Sequence, residues 1–335
     1  MRKHFFFGLL VPVLLVLSCN SSKNLHRVSL AGETQGTYYA ITYFDAKERN
    51  FQAQVDSILK AVDMSASLWI DNSIISRVNN GDSLVEADQI FIDNFNLSKE
   101  VSRLTDGYFD FTIGPLAQAW GFHRKGKMEL TGAQVDSLHR LVNYNMVHLD
   151  GNKVKMDMKG MKFDFNAIAQ GYTVDLLAKM LDEKGVKHFI IDVGGEIIAR
   201  NRKPDGSNWR VGIEKPSENS NDERVLQEII QLENKALATS GSYRKYFEKD
   251  GKRYSHAISP KTGYPVDHHL LSVTVLADNA AYADALATAF LVMGLENSKL
   301  YLSKLTQVEA YFIFWSEKNE YEVYLTDGMK QMIVK

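Results

Sequence analysis

The stretch Tyr254-Ser255-His256-Ala257-Ile258-Ser259-Pro260-Lys261-Thr262-Gly263-Tyr264-Pro265 restricts the backbone more than any other part of the chain. Pro260 and Pro265 hold φ near about −65°, and Gly263 offers a position that accepts positive φ without a Cβ clash. The sequence therefore predicts a shaped loop. It follows the run Ala236-Leu237-Ala238-Thr239-Ser240-Gly241-Ser242-Tyr243 and precedes the alternating, strand-like Leu271-Ser272-Val273-Thr274-Val275. A loop fixed in this way can hold His256 still against a ligand. A surface turn with an incidental histidine has the same local sequence, so this stretch alone leaves both readings open.

Other segments fix the class of fold. Thr34–Tyr43 reads as a strand entered through Gly36, and Phe51, Val55, Ile58, Leu59 and Val62 recur at helical spacing. Residues 65–73 break that period and form a loop carrying Trp69, which is either a core residue or an exposed one. A second helix is expected from about Asp88 to Leu104. It is followed by Thr105–Leu116 and Trp120-Gly121-Phe122, dense in glycine, proline and aromatic residues, where Asp110 stands between Phe109 and Phe111. A carboxylate among large apolar groups is costly to bury unless it is hydrogen-bonded or paired, so Asp110 is a site candidate. Its alternative is a strand position facing water.

Asp164–Tyr172 is expected to open a helix with Asn166 at its N-cap, where free amides suit a phosphate. It lacks the Lys-Ser/Thr ending of a P-loop. The apolar run Phe189–Val193 reads as a strand ending in Gly194-Gly195-Glu196. Two further strands are expected at Trp209–Ile213 and Val225–Leu232, with a polar loop between them. Asn279–Met293 is expected to form a helix closed by Gly294, and strands follow near Val308–Trp315 and Tyr321–Leu325. On the helix, Asp284 and Thr288 are four residues apart and share a face among alanines. A carboxylate and a hydroxyl so placed suit a hard, oxygen-preferring cation such as Mg²⁺, unless the pair merely decorates the helix surface. Strands and helices without strict alternation predict an α+β fold with mixed sheets and a cleft between a larger body and a smaller portion.

The N-terminus has the layout of an export signal. Arg2 and Lys3 precede an apolar run from Phe5 to Leu17, too short for a spanning helix of ~20 residues. Val16-Leu17-Ser18-Cys19 resembles a bacterial lipobox, and Cys19 is the only cysteine of the chain. The expected organisation is a signal peptide over 1–18, a lipid-anchored tether over 19–31 and one domain over 32–335. This places the protein on the periplasmic side of the cell membrane. With 39 basic against 41 acidic residues there is no excess positive charge to neutralise phosphates, so nucleic acid is excluded as a partner.

Taken in order, these segments resemble the ApbE family of flavin transferases. The resemblance rests on Gly36-Thr37-Tyr38, Phe109-Asp110-Phe111-Thr112 with Pro115-Leu116 and Trp120-Gly121-Phe122, and Ile168-Ala169-Gln170-Gly171-Tyr172 with Asp175. It continues through Gly194-Gly195-Glu196, Thr239-Ser240-Gly241, His256–Gly263, and Asp284 with Thr288. Each motif alone is weak, and their joint order is specific.

The resemblance implies an ApbE-like, T-fold-like architecture and an FAD:protein FMN transferase that splits FAD with Mg²⁺, releases AMP and esterifies a Thr or Ser of an acceptor protein with FMN. It implies a metal bound by Asp284, Thr288 and the carbonyl of Ala167. It places FAD near Gln35, Trp69, Tyr108, Phe109, Asp110, Asp164, Gln170 and Ile258, and makes His256 the catalytic residue. Acceptors would be subunits of sodium-pumping NADH:quinone reductase and related electron-transfer complexes. Two positions depart from the pattern: many members carry Lys where this chain has Gln170, and Asp where it has Ser259. These changes bear on affinity and rate. An FAD pyrophosphatase would use the same residues with water as the acceptor, and a flavin-binding lipoprotein without turnover could dispense with His256 and Asp284.

Overall fold

The computed structural model describes residues 24–122, 130–216, 225–242, 246–249, 252–255, 257–316, 318 and 320–334. Strands β1 (His26–Thr34) and β2 (Thr37–Asp45) form a hairpin, and its turn residues Gln35 and Gly36 have φ of 50° and 72°. Two left-handed residues in a two-residue turn match the twist of the flanking strands. Residues 26–31, expected to belong to a tether, are strand instead: β1 pairs with β2 from His26 opposite Asp45 to Thr34 opposite Thr37. Its sequence looks loose because β1 is an edge strand with one face in water. Only Leu30 is fully buried, with Val28 packed beside it.

Helix α1 (Gln52–Ala66) buries Val55, Leu59 and Val62, as its spacing predicts. After α2 (Ile74–Asn79) comes α3 (Gln89–Leu104), whose N-cap Asp88 accepts the Phe91 N–H at 2.8 Å. Short helices α4 (Gly114–Ala119) and α5 (Gly132–His139) and the small hairpin β3 (Val147–Asp150), β4 (Lys153–Met156) lead to α6 (Ala169–Glu183). Asn166 does not cap α6. The helix starts three residues later, and the Asn166 N–H instead donates to Asp164 Oδ1 at 2.8 Å, which fixes a turn before the helix.

The chain continues through β5 (His188–Val193), β6 (Glu196–Arg200), β7 (Trp209–Glu214), β8 (Leu226–Leu232), β9 (Ala236–Gly241), β10 (Tyr246–Lys249), β11 (Lys252–Ser255) and β12 (Leu270–Ala277). It ends with α7 (Ala280–Leu302), β13 (Glu309–Trp315), β14 (Tyr321–Leu325) and α8 (Asp327–Met332). Gly294 breaks α7 with φ 77° and ψ 171°, as expected, but the chain resumes the helix to Leu302 because Leu295, Ser298 and Leu302 still reach the core.

Eight strands form one sheet in the order β1-β2-β5-β6-β9-β12-β13-β14, and every neighbouring pair is antiparallel. Helices α1, α3, α6 and α7 pack on one face, where Val55, Leu177, Phe189 and Ile191 meet in one cluster and Phe95, Val273, Phe290 and Phe312 in another. The other face packs Ile197, Leu237 and Tyr311 against the hairpin β7–β8 and Met329 of α8. This is the expected α+β class. Among the described residues no helix is long and apolar enough to cross a membrane.

Candidate functional site

The sheet is two four-stranded halves joined at β6 and β9, and the joint is short. Its paired positions are Ile197 with Leu237 and Ile198 with Ala236. Beyond them β6 begins at Glu196, while β9 runs on through Thr239, Ser240 and Gly241 paired only with β12. The two strands part there, and a cleft of about 1940 Å³ opens over the gap. Glu196, Thr239, Ser240 and Gly241 line it, together with Asp284 and Thr288 of α7 and Gln170 of α6.

One wall consists of the loops that follow α3 and precede α6. A nest of phenylalanines fixes them: Phe111 stacks on Phe163 with centroids 5.5 Å apart, and Phe95 meets Phe111 edge-on at 5.2 Å. Asp110 is buried beside this nest. Its carboxylate accepts from Thr112 N at 2.8 Å, Thr112 Oγ1 at 2.7 Å and Tyr144 N at 2.9 Å. Burial raises its pKa, and these donors offset only part of the rise. Thr112 and Asp110 thus tie the loop to Asn143 and Tyr144, and Asp110 also lines the cleft. Asp164 is anchored by its own N–H, which donates to the Phe111 carbonyl at 2.8 Å.

The shaped loop closes the same wall. Gly263 has φ 77°, the Trp120 indole N–H donates to its carbonyl at 2.9 Å, and a His139 ring nitrogen lies 2.7 Å from the Pro260 carbonyl. Lys261 reaches across to Tyr108, with its Nζ 5.5 Å from the ring centroid, and binds Asp106 at 3.1 Å. Phe109 and Ile258 are buried lining residues, whereas Trp69 stands at the mouth with two-thirds of its surface exposed, 66%.

The opposite wall is built where α6 crosses α7. Gly171 makes the crossing close enough for its N–H to donate to Asp284 Oδ2 at 3.2 Å. Asp175, one turn further along α6, accepts from the first two amides of α7, Ala280 N at 2.8 Å and Ala281 N at 2.9 Å. This is a helix N-cap supplied by another helix. Burial lifts the Asp175 pKa to about 6. Thr288 Oγ1 meets Ser240 Oγ at 3.0 Å. Gln170 Nε2 donates to the Val193 carbonyl at 2.8 Å and lies against Gly194, where a Cβ would come within 2.1 Å of it. Gln35, at the tip of the first hairpin, donates to Thr173 Oγ1 at 2.8 Å.

Residues 35–312 match the sequence profile of the ApbE family. The chain belongs to the ApbE family. It is 33% identical to the FAD:protein FMN transferase of Vibrio cholerae over 97% of this chain and 98% of that one. It is 32% identical to the protein of the same name from Haemophilus influenzae over 93% of each. Among solved structures, the flavin transferase ApbE from Vibrio cholerae superposes with a TM-score of 0.80 at 31% identity, covering 92% of this chain and 99% of that one. The apo flavinyl transferase ApbE of Pseudomonas stutzeri gives 0.82 at 29% identity, covering 92% and 97%.

All the described residues that the ApbE resemblance singled out, Gln35, Trp69, Tyr108, Phe109, Asp110, Asp164, Ala167, Gln170, Ile258, Asp284 and Thr288, line the one cleft. His256 and Cys19 lie outside the described residues; Ala257 and Ile258, which follow His256 in sequence, line the cleft. Among the described residues, no group of three or more His, Cys, Asp or Glu side chains forms a metal cage by itself. A cation held here would share its shell with main-chain, hydroxyl and ligand oxygens, as Mg²⁺ in phosphate sites does.

The charges fit such a cation. Asp284 is buried, and both desolvation and the nearby Asp175 carboxylate raise its pKa. Glu196 is also buried; desolvation, then Asp284 and Asp192, raise its pKa well above the usual carboxylate range. Among the described residues, the charges acting on the two groups are those of acids. Glu196 is the residue that sequence reasoning passed over. Its only signal was its place after Gly194-Gly195, because its burial depends on where the sheet halves part.

Proposed function

We propose that this protein is an FAD:protein FMN transferase that uses Mg²⁺ to cleave FAD and leaves FMN as a phosphoester on a Thr or Ser of an acceptor protein, with AMP released. The observation that carries this reading is the meeting, in one cleft, of aromatic residues, oxygen donors and two buried carboxylates, Asp284 and Glu196, whose charged neighbours among the described residues are acids. The relatives with that name match nearly the whole chain. The cleft exceeds the ~300–1,000 Å³ of ordinary small-molecule sites, so it has room for a dinucleotide and a segment of polypeptide together.

Tyr108, steadied by Lys261, and Trp69 at the mouth offer flat surfaces for the flavin or adenine rings. Asp284, Thr288 and the carbonyl of Ala167 would hold the cation, with Gly171 and Ser240 orienting the first two. A Mg²⁺ ion held there would neutralise charge on the pyrophosphate and make AMP a better leaving group. The acceptor hydroxyl oxygen bonds to the phosphorus of the FMN half, the bond from that phosphorus to the bridging oxygen breaks, and AMP departs with the bridging oxygen. The hydroxyl proton passes to His256. Gln170 contributes hydrogen bonding where a lysine would contribute charge.

Two outcomes follow. His256→Ala is expected to leave FAD binding, read by flavin fluorescence, within about twofold while transfer falls by ~10²–10⁴-fold; transfer at the wild-type rate would remove the role. The gain in melting temperature on adding Mg²⁺ is expected to be larger at pH 8 than at pH 5. Carboxylates with raised pKa values stabilise the cation-free fold in their protonated form. That stability is lost as pH rises through the folded pKa, about 6 for Asp175, and binding Mg²⁺ needs the ionised forms of Asp284 and its neighbours. Equal gains at both pH values would contradict this reading of the pocket.

The function itself is tested by chromatography of FAD incubated with the protein, Mg²⁺ and an acceptor domain. AMP should appear and EDTA should prevent it; intact FAD would contradict the assignment. We assign the acceptors to subunits of sodium-pumping NADH:quinone reductase and related electron-transfer complexes. The chain itself is placed at the periplasmic face of the membrane, lipidated at Cys19 after removal of residues 1–18. The support is the basic pair, the apolar run and the lipobox-like sequence. Cys19→Ser is expected to move the protein from the membrane fraction to the soluble one, and retention in the membrane would contradict the anchor.

A further inference from the structure

Glu196 is the first residue of β6, set by the tight Gly194-Gly195 turn at the point where β6 and β9 part. The turn is held by the Gly195 N–H, which donates to Asp192 Oδ1 at 2.9 Å. Glu196 has 9% of its surface exposed, lines the same cleft as Asp284, Thr288 and Ser240, and its Oε2 has no hydrogen-bond partner. Leaving a carboxylate oxygen buried and unpartnered is expensive, and proteins keep such groups when they are paired or coordinate a metal. Here the charged groups that act on it, Asp284 and Asp192, are themselves acids. Among the described residues no cation acts on it, and its Oε2 is left without a partner.

We propose that Glu196 Oε2 is a further oxygen donor to the divalent cation held by Asp284 and Thr288, directly or through one water, so that the protein takes up the cation before FAD arrives. This rests on the cation assigned in the proposed function and adds a ligand to it. Two carboxylates balance the charge of one divalent ion. With the Thr288 hydroxyl and the Ala167 carbonyl they would supply four of the about six oxygens that Mg²⁺ requires, leaving about two for water and then for the pyrophosphate. A cation bound first also gives the incoming pyrophosphate a positive target beside carboxylates that by themselves repel it.

The test is Mn²⁺ binding to the purified protein without FAD, measured by loss of the free-ion electron paramagnetic resonance signal, with Mg²⁺ as competitor. Wild type should bind one Mn²⁺ that Mg²⁺ displaces. Glu196→Gln, nearly identical in shape, should weaken binding at least tenfold while melting no lower than wild type in EDTA. Wild-type affinity in Glu196→Gln, or wild-type protein that binds no Mn²⁺ until FAD is added, would overturn the proposal. A lowered melting temperature of the variant in EDTA would also count against it, since it would reveal a cation-independent partner for Glu196. Asp284→Asn separates this inference from the reading beneath it. If it loses Mn²⁺ while Glu196→Gln keeps it, the cation site stands without Glu196; if it binds as wild type does, the cation site itself falls.

Discussion

Asp284→Asn is expected to lower FMN transfer by ~10³-fold or more, about 4 kcal/mol of transition-state stabilisation, while the protein in EDTA melts at or above the wild-type temperature at pH 8. The two effects have one cause. Asp284 is buried against α6; among the described residues it has a single hydrogen bond, from Gly171 at 3.2 Å, and acids for charged neighbours. Without a cation, its ionised form is a liability that asparagine removes, since the amide oxygen still accepts the Gly171 N–H. With a cation, the same carboxylate is the strongest ligand among the described residues. A variant that transferred FMN normally, or lost its fold in EDTA, would show that Asp284 serves structure and not the cation.

Gly171→Ala is the second large effect. A Cβ at Gly171 would lie 2.4 Å from the Ala280 carbonyl oxygen and 2.8 Å from the Ala281 Cα. These are backbone atoms at the start of α7, so no side chain can swing away and the helices must separate. The same displacement breaks the Asp175 cap on Ala280 and Ala281 and moves Asp284 from its donor. Overpacking of this kind costs about 3 kcal/mol or more, and loss of the cap adds about 1 kcal/mol. Thermal denaturation should show the loss of stability, and FMN transfer should fall with it. A variant that melted and turned over like wild type would mean that the α6–α7 crossing is looser than the contact distances indicate.

The sequence was legible where one element decides the outcome. α1 follows from apolar spacing, the helix expected from about Asp88 to Leu104 forms as α3, and Asp284 and Thr288 share a face because they are four residues apart on one helix. Gly263 takes the left-handed conformation for which its loop was noticed. What was not legible depends on partners distant in sequence. β1 looks like a tether because an edge strand needs few apolar residues. Asn166 looks like a cap because nothing local says that α6 starts at Ala169. Glu196 becomes a buried, unpartnered carboxylate only when β6 and β9 are placed side by side and then part. The resemblance supplied the set of cleft residues, and the fold supplies the reason they meet: the short β6–β9 joint and the α6–α7 crossing put them around one gap.

The most direct test is the intact mass of an acceptor domain after incubation with the purified protein, FAD and Mg²⁺. A gain of one FMN less one water, absent in EDTA, is the predicted result. An acceptor of unchanged mass, with free FMN and AMP in solution, would make the protein a pyrophosphatase and contradict the transferase assignment.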